Sequence, residues 1–155
     1  MSQAIDVPIE QLPYVDEHAI GVNATERETW EALLETLPRI LDTGASRRIA
    51  SLLGVEHREA TGERGKIGST LPGFVCSRAV EPSVLALLGA HRFSRYALVF
   101  RVERTGAGAR LRAETRAEFP GARGRVYRAL VIGTRGHVLG VRRILGAVKR
   151  RAERS

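Results

Sequence analysis

Hydrophobic and polar positions alternate through the middle of the chain, from residue 55 to residue 119. A period of two is typical of β-strands that bury one face and expose the other. Turn-forming residues interrupt the alternation at TGERG, LPG, EPS and TGAGA, which is the spacing of an antiparallel meander. The pattern therefore predicts consecutive antiparallel strands, beginning with VEHREAT at 55–61 and ending with RLRAETRAEF at 110–119.

The last two predicted strands show the alternation best. Leu98 belongs to the apolar face of the first of them and Thr115 to the apolar face of the second, while arginine and glutamate residues occupy the opposite faces. Because one face is dry, a layer of helices has to cover it. Glu114 and Glu118 fall on the wet faces among arginines, which argues against a pair of carboxylates that hydrolyse a substrate.

The N-terminal part of the chain predicts one strand followed by two helices. Apolar residues alternate over 17–24, and Thr25 with Glu28 three residues later has the capping-box pattern of a helix start. Apolar residues at helical spacing then form one face: Trp30, Leu33, Leu34 and Leu37. A second, short helix is predicted around 45–54.

The C-terminal segment, from Gly121 to Glu153, has the apolar period of one long helix. Its core-facing sector is predicted to contain Val126, Leu130, Val141, Ile144, Leu145 and Val148. A stripe of small residues, with His137 at its edge, lies beside that sector and comprises Ala129, Gly133, Gly136, Gly140 and Ala147. Each glycine inside a helix costs about 0.5–1 kcal/mol relative to alanine. The stripe therefore predicts a close-packed groove or a cavity beneath the helix.

This order of elements is similar to the helix-grip fold of the START-like, or SRPBCC, superfamily, which includes the polyketide cyclase/dehydrase group. The stretch EHAIGVNATERETWEALL resembles the superfamily's first strand and helix, and the stretches at 70–103 and 111–137 resemble uncharacterised bacterial members. The resemblance implies an α+β fold in which a curved antiparallel sheet wraps around a long C-terminal helix, with a ligand cavity between them. It divides the chain into an N-terminal arm, 1–15, and a single START-like domain, 16–155.

The positive charge of the chain is weak evidence for a nucleic-acid or membrane partner. The net charge is +8, but Lys66 and Lys149 are the only lysines, and many arginines alternate with glutamates as on solvated strand faces. Only the C-terminal run RRILGAVKRRAERS is strongly basic. A solvated helix end that complements the helix dipole is favoured there over a patch for nucleic acid or an anionic membrane.

Several classes of chemistry lack their sequence signals. Cys76 is the only cysteine, which rules out an internal disulfide, and the four histidines have no metal-site spacing, so we expect no metal. Phosphate-binding glycine motifs are missing, and we expect no cofactor. The N-terminus has no signal-peptide pattern and no apolar run is long enough to span a membrane, so a cytoplasmic protein without a transmembrane segment is expected.

The candidate ligand-binding residues are those predicted to line the cavity: Trp30, His91, Tyr96, Leu98, Thr115, Gly133, Gly136, His137 and Gly140. His137 is the first candidate for catalysis, because an imidazole can orient a carbonyl or exchange a proton near neutral pH. The alternative is a helix histidine at the rim. His91 and Tyr96 are weaker catalytic candidates, since His91 can instead lie at the surface. Tyr96 and Thr115 can instead fill the core, as Trp30 can by anchoring the first helix.

Three functions follow, in order of preference. The first is the binding of a small hydrophobic or amphipathic ligand in the cavity. The second is a polyketide cyclase/dehydrase-like enzyme that uses the same cavity. The third is a basic interaction protein, in which the C-terminal helix meets RNA, the ribosome or an anionic membrane and the cavity is packed shut.

Overall fold

One antiparallel sheet organises the α+β fold of this protein. The computed structural model describes residues 8–55, 57, 59–133 and 135–155. The strands of the sheet are β1 (Tyr14–Val22), β2 (Thr70–Leu71), β3 (Phe74–Val80), β4 (Val84–His91), β5 (Ser94–Thr105) and β6 (Gly108–Glu118). Their order across the sheet is β1-β6-β5-β4-β3-β2, so the first strand pairs with the last.

The described residues form four α-helices beside the sheet: α1 (Glu26–Leu41), α2 (Gly44–Leu53), α3 (Gly121–Arg128) and α4 (Gly136–Ala152). The capping box at the start of α1 is confirmed, because the Thr25 side chain accepts a hydrogen bond from the Glu28 amide and the Glu28 carboxylate accepts one from the Thr25 amide. The long helix α4 packs against α1 and the inner face of the sheet, as in a helix-grip fold. None of the described helices is both long enough and apolar enough to cross a bilayer.

The inner face of the sheet forms the main core with α1 and α4. Phe100 of β5 and Leu111 of β6 are fully buried there, together with Leu33 of α1 and Val148 of α4. The alternation in β5 and β6 therefore predicted the dry face correctly. Burial of such side chains is the main source of stability in a domain of this size.

The outer face of the sheet also buries part of its surface. Leu12, which precedes β1, packs in a small cluster with Val75, Leu88 and Ala97. The guanidinium of Arg116 donates a hydrogen bond to the Leu12 carbonyl oxygen at 3.0 Å. Residues of the predicted N-terminal arm thus contact the sheet, while the domain boundary at residue 15 stays a prediction.

The strand predicted at 55–61 is wrong for the described part of that segment. Only Thr61 takes part in a β-bridge, with Thr70, and Glu56 and Arg58 lie outside the described residues. Gly62 and Gly65 just after it have positive φ angles of 78° and 72°, which belong to turns and not to strands.

The long C-terminal helix is confirmed as α4 (Gly136–Ala152), but the prediction that it runs unbroken from Gly121 is wrong. Helix α3 passes into a π-helical turn (Ala129–Gly133), and Arg135, in front of α4, has a left-handed φ of 57°. A π-turn and a left-handed residue both change the rotation per residue, so one helical wheel does not hold across the break. Val126 and Leu130 are consequently exposed, whereas Val141 and the other predicted members in α4 are buried.

Candidate functional site

A cavity of about 360 Å³ lies between the inner face of the sheet and the helices α2, α3 and α4. Most of its wall is apolar, which is typical of small-molecule sites. The wall consists of Leu41, Ser46, Ile49, Leu53, Val55, Pro72, Gly73, Phe74, His91, Ser94, Tyr96, Ala97, Leu98, Thr115, Ala117, Phe119, Tyr127, His137 and Val141. Its polar groups fall into two sets, one toward β1 and one toward the β4–β5 hairpin.

The set toward β1 joins His137 of α4 to Asp16 of β1. The imidazole Nε2 of His137 lies 2.6 Å from Oδ2 of Asp16, and Nε2 of His18 lies 3.2 Å from the same oxygen. The register of β1 shifts between Tyr14 and Asp16, so that Asp16 lies opposite Thr115 of β6 on the inner face. Bulges of this kind often re-aim a side chain beside a functional site.

The electrostatics of this set favour an ionised carboxylate. Burial raises the pKa of Asp16, but the hydrogen bonds from His137 and His18 outweigh it and hold the pKa below its ordinary value. A neutral His137 that donates Nε2–H to this carboxylate has a lone pair on Nδ1, which can accept a hydrogen bond or a proton.

Three buried polar atoms of the same set have no hydrogen-bond partner: Asp16 Oδ1, Thr115 Oγ1 and His137 Nδ1. A buried polar atom without a partner costs roughly 1–3 kcal/mol. Two of the three residues, Thr115 and His137, belong to the cavity wall. A polar group of a ligand can therefore contribute more binding free energy at this side of the cavity than it would against an apolar wall.

The set toward the β4–β5 hairpin is aromatic. His91 lies edge-on against Tyr127 of α3, with ring centroids 4.7 Å apart, and Tyr127 stacks on Phe93. The Phe93 amide donates a hydrogen bond to His91 Nδ1 at 3.1 Å, and burial lowers the pKa of His91. His91 is therefore a neutral imidazole whose Nε2 carries the proton, which suits hydrogen-bond donation better than proton abstraction.

Tyr96 has a structural partner. Its hydroxyl donates a hydrogen bond to the Gly73 carbonyl oxygen at 2.8 Å, and burial raises the pKa of the phenol. A Cβ atom at Gly89 would overlap both the Tyr96 ring and the Gly73 carbonyl, so this glycine makes room for the arrangement. Because its hydroxyl group already donates a hydrogen bond within the protein, Tyr96 is part of the cavity wall and a poor candidate for proton transfer.

The structure brings five of the predicted site residues to the cavity wall, namely His91, Tyr96, Leu98, Thr115 and His137. His137 is not a solvent-facing residue, since only 12% of its side chain is exposed. Whether these five bind a ligand stays a prediction.

The other four predicted site residues lie elsewhere. Trp30 is 1% exposed within the packed core between α1 and the sheet. Gly133, Gly136 and Gly140 are exposed, and a Cβ atom at Gly133 or Gly140 would meet no neighbouring atom. The glycine stripe therefore does not line the cavity, because the break before α4 turns it toward solvent.

Sequence reasoning missed two residues of the site, Asp16 and Tyr127. Asp16 lies one position before the predicted start of the first strand, although it continues the alternation through His18 and Ile20. Tyr127 was outside the apolar sector of a continuous helix and comes to the wall because the helix is broken. Asp16 could have been found by continuing the alternation two residues back from His18. No sequence signal indicated Tyr127.

Other chemistry has little support in the described ranges. No group of three histidine, cysteine, aspartate or glutamate side chains there could hold a metal ion. Cys76 is buried, and burial raises the pKa of its thiol, which disfavours the reactive thiolate. Glu114 faces outward, as predicted, and pairs with Arg101 and Arg116.

Comparison with known proteins establishes the fold of this chain but not its activity. No protein-family model matches the sequence, and no curated protein matches it significantly. Protein SA2116 of unknown function from Staphylococcus aureus has a similar structure, with a TM-score of 0.57 and 11% sequence identity over 93% of this chain and 96% of that one. Protein CV1439 from Chromobacterium violaceum has a TM-score of 0.55 and 13% identity over 91% and 99%.

A third similar structure is that of protein MLL2253 from Mesorhizobium loti, with a TM-score of 0.54 and 13% identity over 90% of this chain and 97% of that one. The three similarities extend over nearly the whole of each chain, so the arrangement of sheet and helices is shared. At such low identity they establish the fold alone, because one fold hosts many functions.

Proposed function

We propose that the protein binds a small, largely apolar molecule in the cavity between the sheet and helices α2, α3 and α4. The observation that carries the proposal is the cavity itself, about 360 Å³ with a mainly apolar wall and few polar groups. The helix-grip arrangement supports it, since members of the START-like superfamily, which the chain resembles, bind ligands in the corresponding space. We also propose that the protein is cytoplasmic.

The polar atoms toward β1 narrow the chemistry of the ligand. Asp16 Oδ1 is an acceptor, Thr115 Oγ1 can donate or accept, and His137 Nδ1 accepts when the imidazole donates its Nε2–H to Asp16. The ionised Asp16 repels a ligand carboxylate at this position. We therefore expect an amphipathic ligand that presents a hydroxyl group, alcohol or phenol, and disfavour a fatty acid.

Native mass spectrometry of freshly purified protein tests whether a small molecule is retained. Fluorescence titration with 2-naphthol tests whether the ligand carries a hydroxyl group. The phenol should bind more tightly than 2-naphthoate, which has the same ring system and a carboxylate. Equal or tighter binding of the carboxylate would contradict the expected hydroxyl ligand.

A cavity-filling variant tests the place of binding. Ala117→Leu adds carbon atoms at the wall, and overpacking an occupied site costs about 1–3 kcal/mol, so we expect at least about five-fold weaker binding of 2-naphthol. Ala19→Leu is the matched control, because Ala19 is exposed on β1. Equal affinity of both variants and the parent would place the ligand outside this cavity.

The Asp16–His137 pair favours a second candidate function, a cyclase/dehydrase-like enzyme in which His137 accepts a proton. A carboxylate that holds an imidazole in one orientation is a recurrent acid–base arrangement. The molecule retained by the protein, incubated in D₂O, should then gain deuterium at a carbon position. The His137→Gln variant should abolish that exchange while retaining the molecule; exchange at the same rate would exclude His137 as the base.

A further inference from the structure

Exposed aliphatic side chains lie on α2 and α3, two of the helices that cover the cavity. On α2, Ile49 and Leu52 are 57% and 78% exposed, and on α3, Val126 is 62% exposed. Ile49 also belongs to the cavity wall, so the exposed set begins at the cavity itself. Single exposed aliphatic residues need no explanation, but several beside one cavity indicate a contact surface.

The elements that carry these residues are basic and contain no carboxylate. Helix α2 includes Arg47 and Arg48, and α3 includes Arg123, Arg125 and Arg128, all exposed. No aspartate or glutamate occurs anywhere from residue 119 to residue 152. Arg47 pairs with Asp42, the C-cap residue that follows α1, so Arg48 is the better residue to substitute in α2.

The hairpin between β4 and β5 connects α2 with α3. The Arg92 amide donates a hydrogen bond to the Leu53 carbonyl oxygen at 3.2 Å, which attaches the hairpin to the end of α2. On the other side Phe93 stacks on Tyr127, with ring centroids 5.7 Å apart. We call α2, residues 92–93 and α3 together the mouth surface; the hydrogen bond and the ring stacking join its three parts.

We propose that the mouth surface docks on an anionic lipid bilayer, with Ile49, Leu52 and Val126 among the acyl chains and the arginines at the lipid phosphates. Interfacial membrane contacts combine these two features, aliphatic insertion and cationic attraction. Docked in this way, the cavity opens toward the lipid. Single-stranded nucleic acid is less suited, because its bases stack on aromatic side chains and the exposed residues here are aliphatic.

The basic run at the C-terminus is a different surface. Lys149 donates hydrogen bonds to the Gly21 carbonyl and to the Glu153 carboxylate, and Arg151 pairs with Glu35. Part of its charge is therefore used within the protein. We therefore assign the anionic contact to the mouth surface and not to the C-terminal run, where the sequence analysis had left it as the less favoured alternative.

Co-sedimentation with vesicles tests the proposal on the full chain. Vesicles of 70 mol% phosphatidylcholine and 30 mol% phosphatidylglycerol should bind the protein at low salt, and vesicles of pure phosphatidylcholine should bind it far less. One arginine near an anionic surface contributes about 1 kcal/mol, so Arg48→Gln and Arg125→Gln should each lower the partition coefficient about five-fold. Leu52→Ser should lower it by a similar factor.

The controls lie at the opposite end of the sheet. Val80→Ser removes an exposed aliphatic residue at the end of β3, and Arg104→Gln removes an exposed arginine beside the β5–β6 turn. Because the strands are antiparallel, both positions are remote from the β4–β5 hairpin. Neither variant should change vesicle binding by more than about two-fold if the mouth surface makes the contact.

Three results would overturn the proposal. One is equal binding to neutral and anionic vesicles, or to neither at low salt; another is an equal effect of the control and mouth variants. The third is retention on a single-stranded RNA that depends on Arg48 but not on Leu52. Ala117→Leu should bind vesicles like the parent protein, so a failure of ligand binding and a failure of docking can be told apart.

Discussion

The two halves of the inner sheet face differ in how they are filled. Under α1 and α4, the large side chains of Trp30 and Phe100 are at most 1% exposed, and a cavity of about 270 Å³ lies only at the C-terminal half of α1. Under α2 and α3 the same sheet faces the mainly apolar cavity of about 360 Å³. The packed half holds the fold together and the hollow half leaves space for a ligand. The comparison teaches that one sheet can serve both needs because its two ends are covered by different helices.

The largest expected effect contrasts the cores of the two halves. Phe100→Ala in the packed half should lower the free energy of unfolding by about 3–5 kcal/mol, because it leaves a cavity among close-packed neighbours. Phe119→Ala, at the wall of the existing cavity and only partly buried, should cost about half as much or less. Urea denaturation measures both, and equal costs would contradict the division into halves.

The next effect concerns the carboxylate at the border between the halves. Asp16→Asn should lower the free energy of unfolding at pH 7 by about 1–3 kcal/mol, since it removes a charged hydrogen-bond acceptor from His137 and His18. The pKa of Asp16 is lowered in the folded protein, so its contribution is present above the unfolded-state pKa of about 3.9 and is lost as pH falls through the folded value.

The gap in unfolding free energy between the parent and Asp16→Asn should therefore be constant near neutral pH and close below about pH 4. Denaturation curves at a series of pH values measure it. A gap that widens on acidification would mean that the carboxylate is not stabilised by its histidine partners.

A pair of threonines separates ligand binding from stability. Thr115 at the cavity and Thr29 in the packed half each have a buried hydroxyl without a partner. Replacing either by valine should raise the free energy of unfolding by about 1 kcal/mol, because the unpaired hydroxyl is removed. Only Thr115→Val should weaken 2-naphthol binding, by about five-fold; a similar loss in Thr29→Val would show that the effect is indirect.

The smallest effect tests the exposed glycines of the C-terminal region. Gly140→Ala should raise the free energy of unfolding by about 0.5–1 kcal/mol and leave ligand binding unchanged, because the new methyl group enters open space on a helix. Gly89→Ala should destabilise the protein, since its methyl group overlaps Tyr96. Weaker ligand binding in Gly140→Ala would mean that the glycine stripe does line the cavity.

Local patterns predicted the elements whose partners are close in sequence. The capping box at Thr25 and the alternation in β5 and β6 are short-range signals, and the structure confirms both. The broken C-terminal helix escaped prediction because a periodic apolar pattern continues through the π-turn and the left-handed Arg135. The five wall residues were selected by their position on predicted faces, and Trp30 was misplaced because the same pattern is typical of a packed core and of a cavity wall.

The sequence by itself determined the strand alternation, the amphipathic first helix and the apolar face that needs a cover, since each depends on neighbours within a few residues. The pairing of Asp16 with His137, 121 residues apart, depended on the tertiary structure, as did the void beside it and the basic, aliphatic mouth surface. These features arise where distant elements meet. Whether a helix and a sheet pack closely or leave a cavity depends on the position and rotation of both elements. The sequence of one segment does not specify that arrangement.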